Sequence, residues 1–152
     1  MPAFTSDHRL RHTADEMFNL VADVERYPEF VPMCERLSVR RRQKAKQGTE
    51  ALVAEMTVGY LLIRETFTSK VLLDRPNLAI EVAYIDGPFR HLDNFWRFTP
   101  EGTGCAVHFS IDYEFKSRVL QLLAGAMFDT LFRRMTAAFI ERADVVYGSH
   151  KR

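Results

Sequence analysis

The sequence predicts an α+β domain in which an antiparallel sheet curls around one long helix, and three observations predict it. From about Glu35 to Phe115 the apolar residues recur with period 2 and are interrupted at regular intervals by turn residues, the mark of a strand meander. From Ser117 to about Tyr147 there is no proline, and apolar residues form a stripe about eight turns long. The inner face of the meander is the only apolar surface large enough to receive that stripe, so sheet and helix must pack on each other. The 152 residues suffice for one domain with a sizeable core and are too few to expect two.

A first strand is read over Phe4–His12, with Phe4, His8 and Leu10 sharing a face. Thr13-Ala-Asp-Glu16 then has the form of a capping box, in which the threonine hydroxyl and the glutamate carboxylate each satisfy a free backbone N–H, so a helix begins there. Its Met17, Leu20, Val21 and Val24 fall at i, i+3, i+4 and i+7, the spacing of one buried face. Pro28 and Pro32 in RYPEFVPMC end the pattern and leave room for at most one short second helix. Turn signals near Gly48, Gly59, Pro76, Asp86-Gly87-Pro88 and Glu101-Gly102-Thr103-Gly104 divide the following segment into six strands, seven with the first. The clearest is Cys105–Phe115, where Cys105, Val107, Phe109, Ile111, Tyr113 and Phe115 alternate with Ala106, His108, Ser110, Asp112 and Glu114. Ser117 is the expected N-cap of the last helix, whose stripe runs through Leu120, Ala124, Met127, Phe128, Leu131, Met135, Ala138, Phe139 and Val146.

Lysine and arginine number 21 against 20 aspartate and glutamate, a net charge of +1, so no bulk field argues for nucleic acid or for an anionic membrane. Cys34 and Cys105 lie too far apart to read as a zinc knuckle or a dense disulfide framework, and two buried reduced thiols are expected. MPAFTSDHRLRH lacks the apolar core of a secretory signal, and no stretch approaches the ~20 apolar residues that span a bilayer. A cytoplasmic protein is expected, with a peripheral position at the inner membrane compatible with the same reading.

The chain contains no GxSxG, HExxH, CxxC, P-loop or GxGxxG pattern. His8 and His12 would share a strand face, but at ~3.3 Å per residue their α-carbons lie about 13 Å apart, too far to share a metal ion directly. The run RLSVRRRQKAK places Arg36, Arg40, Arg41, Arg42, Lys44 and Lys46 within eleven residues. It reads either as a solvated hairpin whose cations protect a sheet edge or as a contact for phosphate on ribosomal RNA or lipid. Aromatics do not interleave it, which argues against sequence-specific reading of nucleic acid.

HLDNFWRF, His91–Phe98, holds the most informative anomaly. As a strand it places Leu92, Asn94, Trp96 and Phe98 on one side, and Asn94 is the one polar member of that row. Tyr84, Trp96, Phe98, Phe109 and Tyr113 from the strands, with Met127, Phe128, Leu131 and Met135 from the helix, either fill a core or border a pocket. Flexible methionines, a Gly125 that costs about 1 kcal/mol inside a helix and the interrupting Asn94 favour a pocket. Asn94 would then bond the polar end of a ligand, although a neighbouring backbone group would satisfy it equally well. The loop Tyr27–Cys34, with Phe30, Val31 and Pro32, is the candidate mouth of such a cavity.

Three strings, VADVERYPEFVPMC, DGPFRHLDNFWRF and FSIDYEFKS, occur in that order within a segment from Phe4 to about Tyr147 that resembles the coenzyme Q-binding family of START-like domains. That family also includes the ribosome-association toxin A branch. The resemblance implies that residues 1–152 form a single START-like lipid-binding domain of helix-grip fold. Its parts would be a curved seven-stranded antiparallel sheet, two short helices and a long C-terminal helix enclosing a cavity. It implies binding of ubiquinone or a similar isoprenoid lipid as ligand, with no required cofactor, no metal and no catalysis, in a carrier or chaperone that supports respiratory electron transport. His91-Leu92 with Trp96-Arg97-Phe98 is similar to the quinone-binding members, whereas Asp86-Gly87-Pro88-Phe89 is similar to the toxin branch. The headgroup would be read by Asn94, Tyr84 or Tyr113. The alternative is a protein that binds the large ribosomal subunit through the basic run and blocks subunit joining. A further alternative is a polyketide cyclase-like enzyme, for which Glu55, Glu65 and His8 are the nearest inward acids or bases. Mitochondrial members carry a targeting extension that this sequence lacks, which suits a bacterial cytoplasm.

Overall fold

The computed structural model describes residues 3–60 and 63–148, and their side chains except at 46, 60 and 123–127. The strands are β1 (Ala3–Leu10), β2 (Cys34–Lys44), β3 (Thr49–Tyr60), β4 (Ile63–Asp74), β5 (Ala79–Asp86), β6 (Phe89–Glu101) and β7 (Gly104–Phe115). They form one seven-stranded antiparallel sheet in the order β1-β7-β6-β5-β4-β3-β2. Six of them run as a meander, and β1 joins at the far side, pairing Ala3 with Asp112 and Leu10 with Cys105. Bulges at Cys34/Arg36, Val39/Arg41, Thr68/Ser69 and Phe89/His91 add the local twist and bend by which such a sheet curves. Gly104 starts β7 so close to the end of β1 that a β-carbon there would collide with the Leu10 carbonyl oxygen.

Helix α1 (Ala14–Ala22) begins as its sequence requires: Glu16 N–H donates to Thr13 Oγ1 at 3.1 Å, and Thr13 N–H to Glu16 Oε1 at 3.0 Å. Its expected face, Met17, Leu20, Val21 and Val24, is buried. The anticipated short second helix is a 3₁₀ segment, Val24–Glu29, which contains Pro28. Helix α2 (Arg118–Tyr147) starts where Ser117 Oγ accepts the Leu120 N–H at 3.2 Å and stops at Gly148, whose φ of +100° ends the helical path. The helix-grip arrangement is therefore the one present, with α2 lying along the concave face of the sheet.

Two readings of the elements need correction. The first strand ends at Leu10, so His12 does not continue the face of His8; its ring is buried and its Nε2 lies 2.8 Å from Asp144 Oδ1 on α2. Val146, read as part of the buried stripe, is 50% exposed; Ala143 and Tyr147 carry the packing at that end of α2.

The buried side chains form two groups. The larger joins α1 to the sheet and the C-terminal half of α2, and includes Phe18, Val21, Trp96, Phe98, Phe109, Phe139 and Ala143. The smaller, Phe89, Leu92, Tyr113 and Phe115 with Phe128 packed against it, lies toward the start of α2. Between them the two layers do not meet flush.

Candidate functional site: an apolar cavity under the C-terminal helix

A cavity of about 230 Å³ lies between the sheet and α2, part open to solvent. Period 2 on the strands supplies its floor: Leu92, Asn94 and Trp96 from β6, Phe109, Ile111 and Tyr113 from β7, and Ile63, Glu65, Phe67, Ser69 and Val71 from β4. Helical spacing supplies its roof, with Leu120, Phe128, Leu131, Phe132, Met135 and Phe139 on one side of α2. The segment before β2 contributes Tyr27 and Val31–Cys34. Aromatic rings set much of the shape: Trp96 stands edge-on to Phe109 at 4.7 Å and to Phe139 at 5.1 Å, and Tyr113 contacts Phe128 at 4.9 Å.

Several polar groups sit in this lining. Asn94 Nδ2 donates to the Ser110 carbonyl at 2.8 Å, and its Oδ1 accepts the Trp96 indole N–H at 3.2 Å. The protein itself thus answers the anomaly of the apolar row: the carboxamide holds the indole in place, and the expected headgroup contact is not what satisfies it. Tyr27 donates its hydroxyl to the Val21 carbonyl, and burial holds its phenol far above the ordinary tyrosine range. Tyr113 and Ser69 differ: they are 2% and 6% exposed, yet their hydroxyls have no hydrogen-bond partner among the described residues. Burial, with Asp129 nearby, pushes the Tyr113 phenol up to about 12, so it stays a neutral hydroxyl able to donate and accept. Glu65 is the one carboxylate of the lining among the described residues.

Of the residues anticipated for a ligand, Leu92, Asn94, Trp96, Phe109, Tyr113, Phe128, Leu131 and Met135 all border the cavity. Tyr84 does not: its hydroxyl accepts the Phe89 N–H at 3.0 Å and its ring packs on Phe89. Phe98 shares the face of Trp96 but lies one step nearer α1, where Phe18 meets it edge-on at 5.9 Å. The side chain of Met127 lies outside the described residues. At the anticipated mouth, Val31 and Pro32 line the cavity, whereas Phe30 is drawn aside between Tyr27 and Phe139 with the Arg142 guanidinium 5.1 Å above its ring.

Among the three inward acids or bases, Glu65 alone reaches the cavity. Glu55 points to the outer face and pairs with Arg40 at 2.9 Å, and His8 lies outside the lining with its Nε2 buried and without a partner among the described residues. Sequence reasoning missed Ser69 on β4 as a lining group, and Met56 and Val58 on β3. The signal was present: Ile63, Glu65, Phe67, Ser69 and Val71 form a period-2 row interrupted by polar residues, just as the β6 row is interrupted by Asn94.

The basic run occupies edge strand β2 and the turn that leads into β3. Arg40 is bonded to Glu55, and Arg42 to both Glu50 and Glu25, so part of its expected field is neutralised locally. Arg36 stands near Glu35. Arg41 and Lys44 are exposed with no ion pair among the described residues, and the side chain of Lys46 lies outside them. Burial raises the Cys34 and Cys105 thiols from 9.0 to about 11, as expected of protonated, unreactive cysteines. No helix among the described residues is long and apolar enough to cross a membrane.

A curved sheet gripping a long helix over an apolar chamber defines an α+β protein built around an internal cavity. The chain belongs to the family described as polyketide cyclase/dehydrase and lipid transport, whose pattern matches residues 10–140. It is 38% identical over 137 residues to the ribosome association toxin RatA of Vibrio cholerae, a match covering 90% of this chain and 91% of that one. It is 33% identical over 144 residues to the coenzyme Q-binding protein COQ10 homolog B of Xenopus laevis, covering 91% of this chain and 57% of that longer protein. A START superfamily protein from Mycobacterium smegmatis shares the fold, with a TM-score of 0.80 at 15% identity over 96% of this chain and 99% of that one. Both branches suggested by the three sequence strings are therefore among its relatives, and both named relatives are described as binding or association proteins.

Proposed function

We propose that this protein binds an isoprenoid quinone, ubiquinone or a close relative, in the cavity under α2 and acts as a carrier without catalysing a reaction. The observation that carries the reading is an apolar chamber whose lining includes two hydroxyls, those of Tyr113 and Ser69, that make no hydrogen bond to a described residue. A quinone carbonyl entering beside either hydroxyl accepts a hydrogen bond from it, a net gain of about 0.5 to 1.5 kcal/mol. An engineered apolar cavity of ~150 Å³ holds benzene. By that measure the 230 Å³ here suits a quinone ring with the start of its tail or, in the opposite orientation, the first units of the tail alone. Affinity then rises with the first one or two isoprene units, at ~0.8 kcal/mol per buried CH₂, and levels off for longer tails. The coenzyme Q-binding name of the Xenopus laevis relative supports this choice of ligand.

The test uses the single tryptophan, which lines the cavity. Short-tailed ubiquinones should quench Trp96 fluorescence saturably, and Tyr113→Phe should weaken binding about three- to tenfold with little change in fold. Absence of saturable quenching across several tail lengths rejects the carrier reading.

A second reading, association with the large ribosomal subunit, is favoured by the Vibrio cholerae relative, whose match covers nearly all of both chains. It would use Arg41 and Lys44, two exposed cations of the basic run that have no ion pair among the described residues. Sedimentation with ribosomal subunits at low salt, abolished by reversing those two charges, is the expected result. Failure to co-migrate at low salt removes this reading.

A further inference from the structure

Cross-strand register sorts the polar groups of the cavity by their level along the sheet. Val71 pairs with Val82, Val82 with Asn94 and Asn94 with Ile111, so these four share one level. The next inward-facing residues in the direction of the β3–β4 hairpin are Ser69 on β4 and Tyr113 on β7. Glu65, opposite Val58 on β3, lies further the same way, about 13 Å beyond Ser69 along the strand. Toward α1 the polar groups are satisfied within the protein: the Trp96 indole donates to Asn94, and Tyr27, packed on Phe139, donates to the Val21 carbonyl. Toward the hairpin, Ser69, Tyr113 and Glu65 make no hydrogen bond or ion pair to a described residue. Aromatic rings connect the two sides of this end, with Phe67 edge-on to Phe89 at 5.5 Å and Phe89 edge-on to Tyr113 at 6.5 Å. The chamber is therefore graded, with open polar groups and ring faces at one end and an apolar wall at the other.

The three open groups differ in what they can bond. A hydroxyl donates or accepts as its partner requires, so Ser69 and Tyr113 suit a carbonyl and a phenol alike, whereas an ionised carboxylate only accepts. Arg64, next to Glu65 in sequence, alternates to the other face of β4, where Glu35 holds it through bonds of 2.7 and 3.1 Å. Glu65 is instead flanked in the lining by Val58, Ile63 and Phe67. The oxygens of a quinone are acceptors too, so a quinone beside Glu65 sets acceptor against acceptor. The two-electron-reduced quinol carries ring hydroxyls that donate to it. A hydrogen bond to a charged group is roughly twice as strong as a neutral one, and a site built to bond a hydroxyl rejects an analogue that lacks it. We propose that the cavity selects the quinol over the quinone, with Glu65 accepting a ring hydroxyl, the head lying toward the β3–β4 hairpin and the tail running toward Trp96 and Phe139. The quinone still binds through Tyr113 or Ser69, more weakly. This selection rests on the carrier reading and names the redox state of the cargo; the quinol is taken up already reduced, and the protein performs no electron transfer.

Anaerobic titration calorimetry with a short-tailed ubiquinone, the matching ubiquinol and the dimethyl ether of that ubiquinol, which has the ring but no ring hydroxyl, tests the selection. The quinol should bind at least about fivefold more tightly than either of the others. On the unmodified protein, the midpoint potential of the bound couple should also rise above that of the free one, by about 30 mV for each tenfold of preference in a two-electron couple. Glu65→Leu should abolish the preference, and Glu65→Gln, whose amide also donates to a carbonyl, should flatten or reverse it, with the circular dichroism of both variants unchanged. Quinone binding as tight as quinol binding, an unshifted potential, or a preference that survives Glu65→Leu overturns the selection and leaves the carrier intact. A dimethyl ether that binds as tightly as the quinol also overturns it, by assigning the preference to ring shape. Saturable binding of none of the three ligands rejects the carrier reading itself.

Discussion

Asn94 shows what a single side chain can decide. Its carboxamide spans from the Ser110 carbonyl to the Trp96 indole and so fixes the ring that forms one wall of the chamber. Asn94→Leu keeps the volume but strands the buried indole N–H and the Ser110 carbonyl. It should cost about 1 to 3 kcal/mol, read as a lower urea midpoint together with a shifted Trp96 emission maximum. An unchanged midpoint would mean that water takes over both bonds. The anomaly was legible in HLDNFWRF, but its resolution was not, because the partner carbonyl belongs to Ser110 on a strand sixteen residues away. Tyr84, Phe98 and Phe30 were misplaced for a related reason. Sequence assigns each to a face or loop, whereas which end of the face lies over the chamber depends on where α1 and Phe139 sit.

At the level of elements, local chemistry was the more readable part. The Thr13–Glu16 box, the Ser117 cap and the turns at Gly48, Pro76, Gly87 and Gly102 all mark boundaries that the structure keeps, since each depends on residues within four positions of one another. Helix α2 relies on such a cap more than most, having an arginine where negative charge is preferred. Ser117→Ala should therefore cost about 1 kcal/mol by chemical denaturation and speed amide exchange in the first turn of α2. Equal exchange in the variant would show that packing of Leu120 holds that turn without the cap. What sequence missed at this scale was tertiary: His12 leaves the strand because Asp144, 132 residues on, receives it.

Across the whole molecule, burial sets the response to alkali. Cys34 and Cys105 are raised to about 11 and Tyr113 to about 12, in each case first by burial. A group whose pKa is higher in the folded chain holds its proton more tightly there, so it stabilises the fold below its unfolded value and loses that contribution as pH climbs to its folded one. Urea midpoints should stay level from neutrality to about pH 9 and fall between about 9 and 12; a midpoint still constant at pH 11 would contradict the buried thiols. The overall architecture was legible because period 2 and period 3.6 segregate cleanly along the chain. The chamber was legible only through Asn94, Gly125, the methionines and the family resemblance, because composition cannot tell interdigitated layers from layers held apart.

The pairing of β1 with β7 has a consequence for how the chain comes into being. Residues 3–10 are synthesised long before their hydrogen-bonding partners, residues 105–112. Until those partners have been made, β1 carries a bare ladder of amides. Closure of the sheet therefore waits for residues 105–112, and until then the unpaired β1 is open to chaperones.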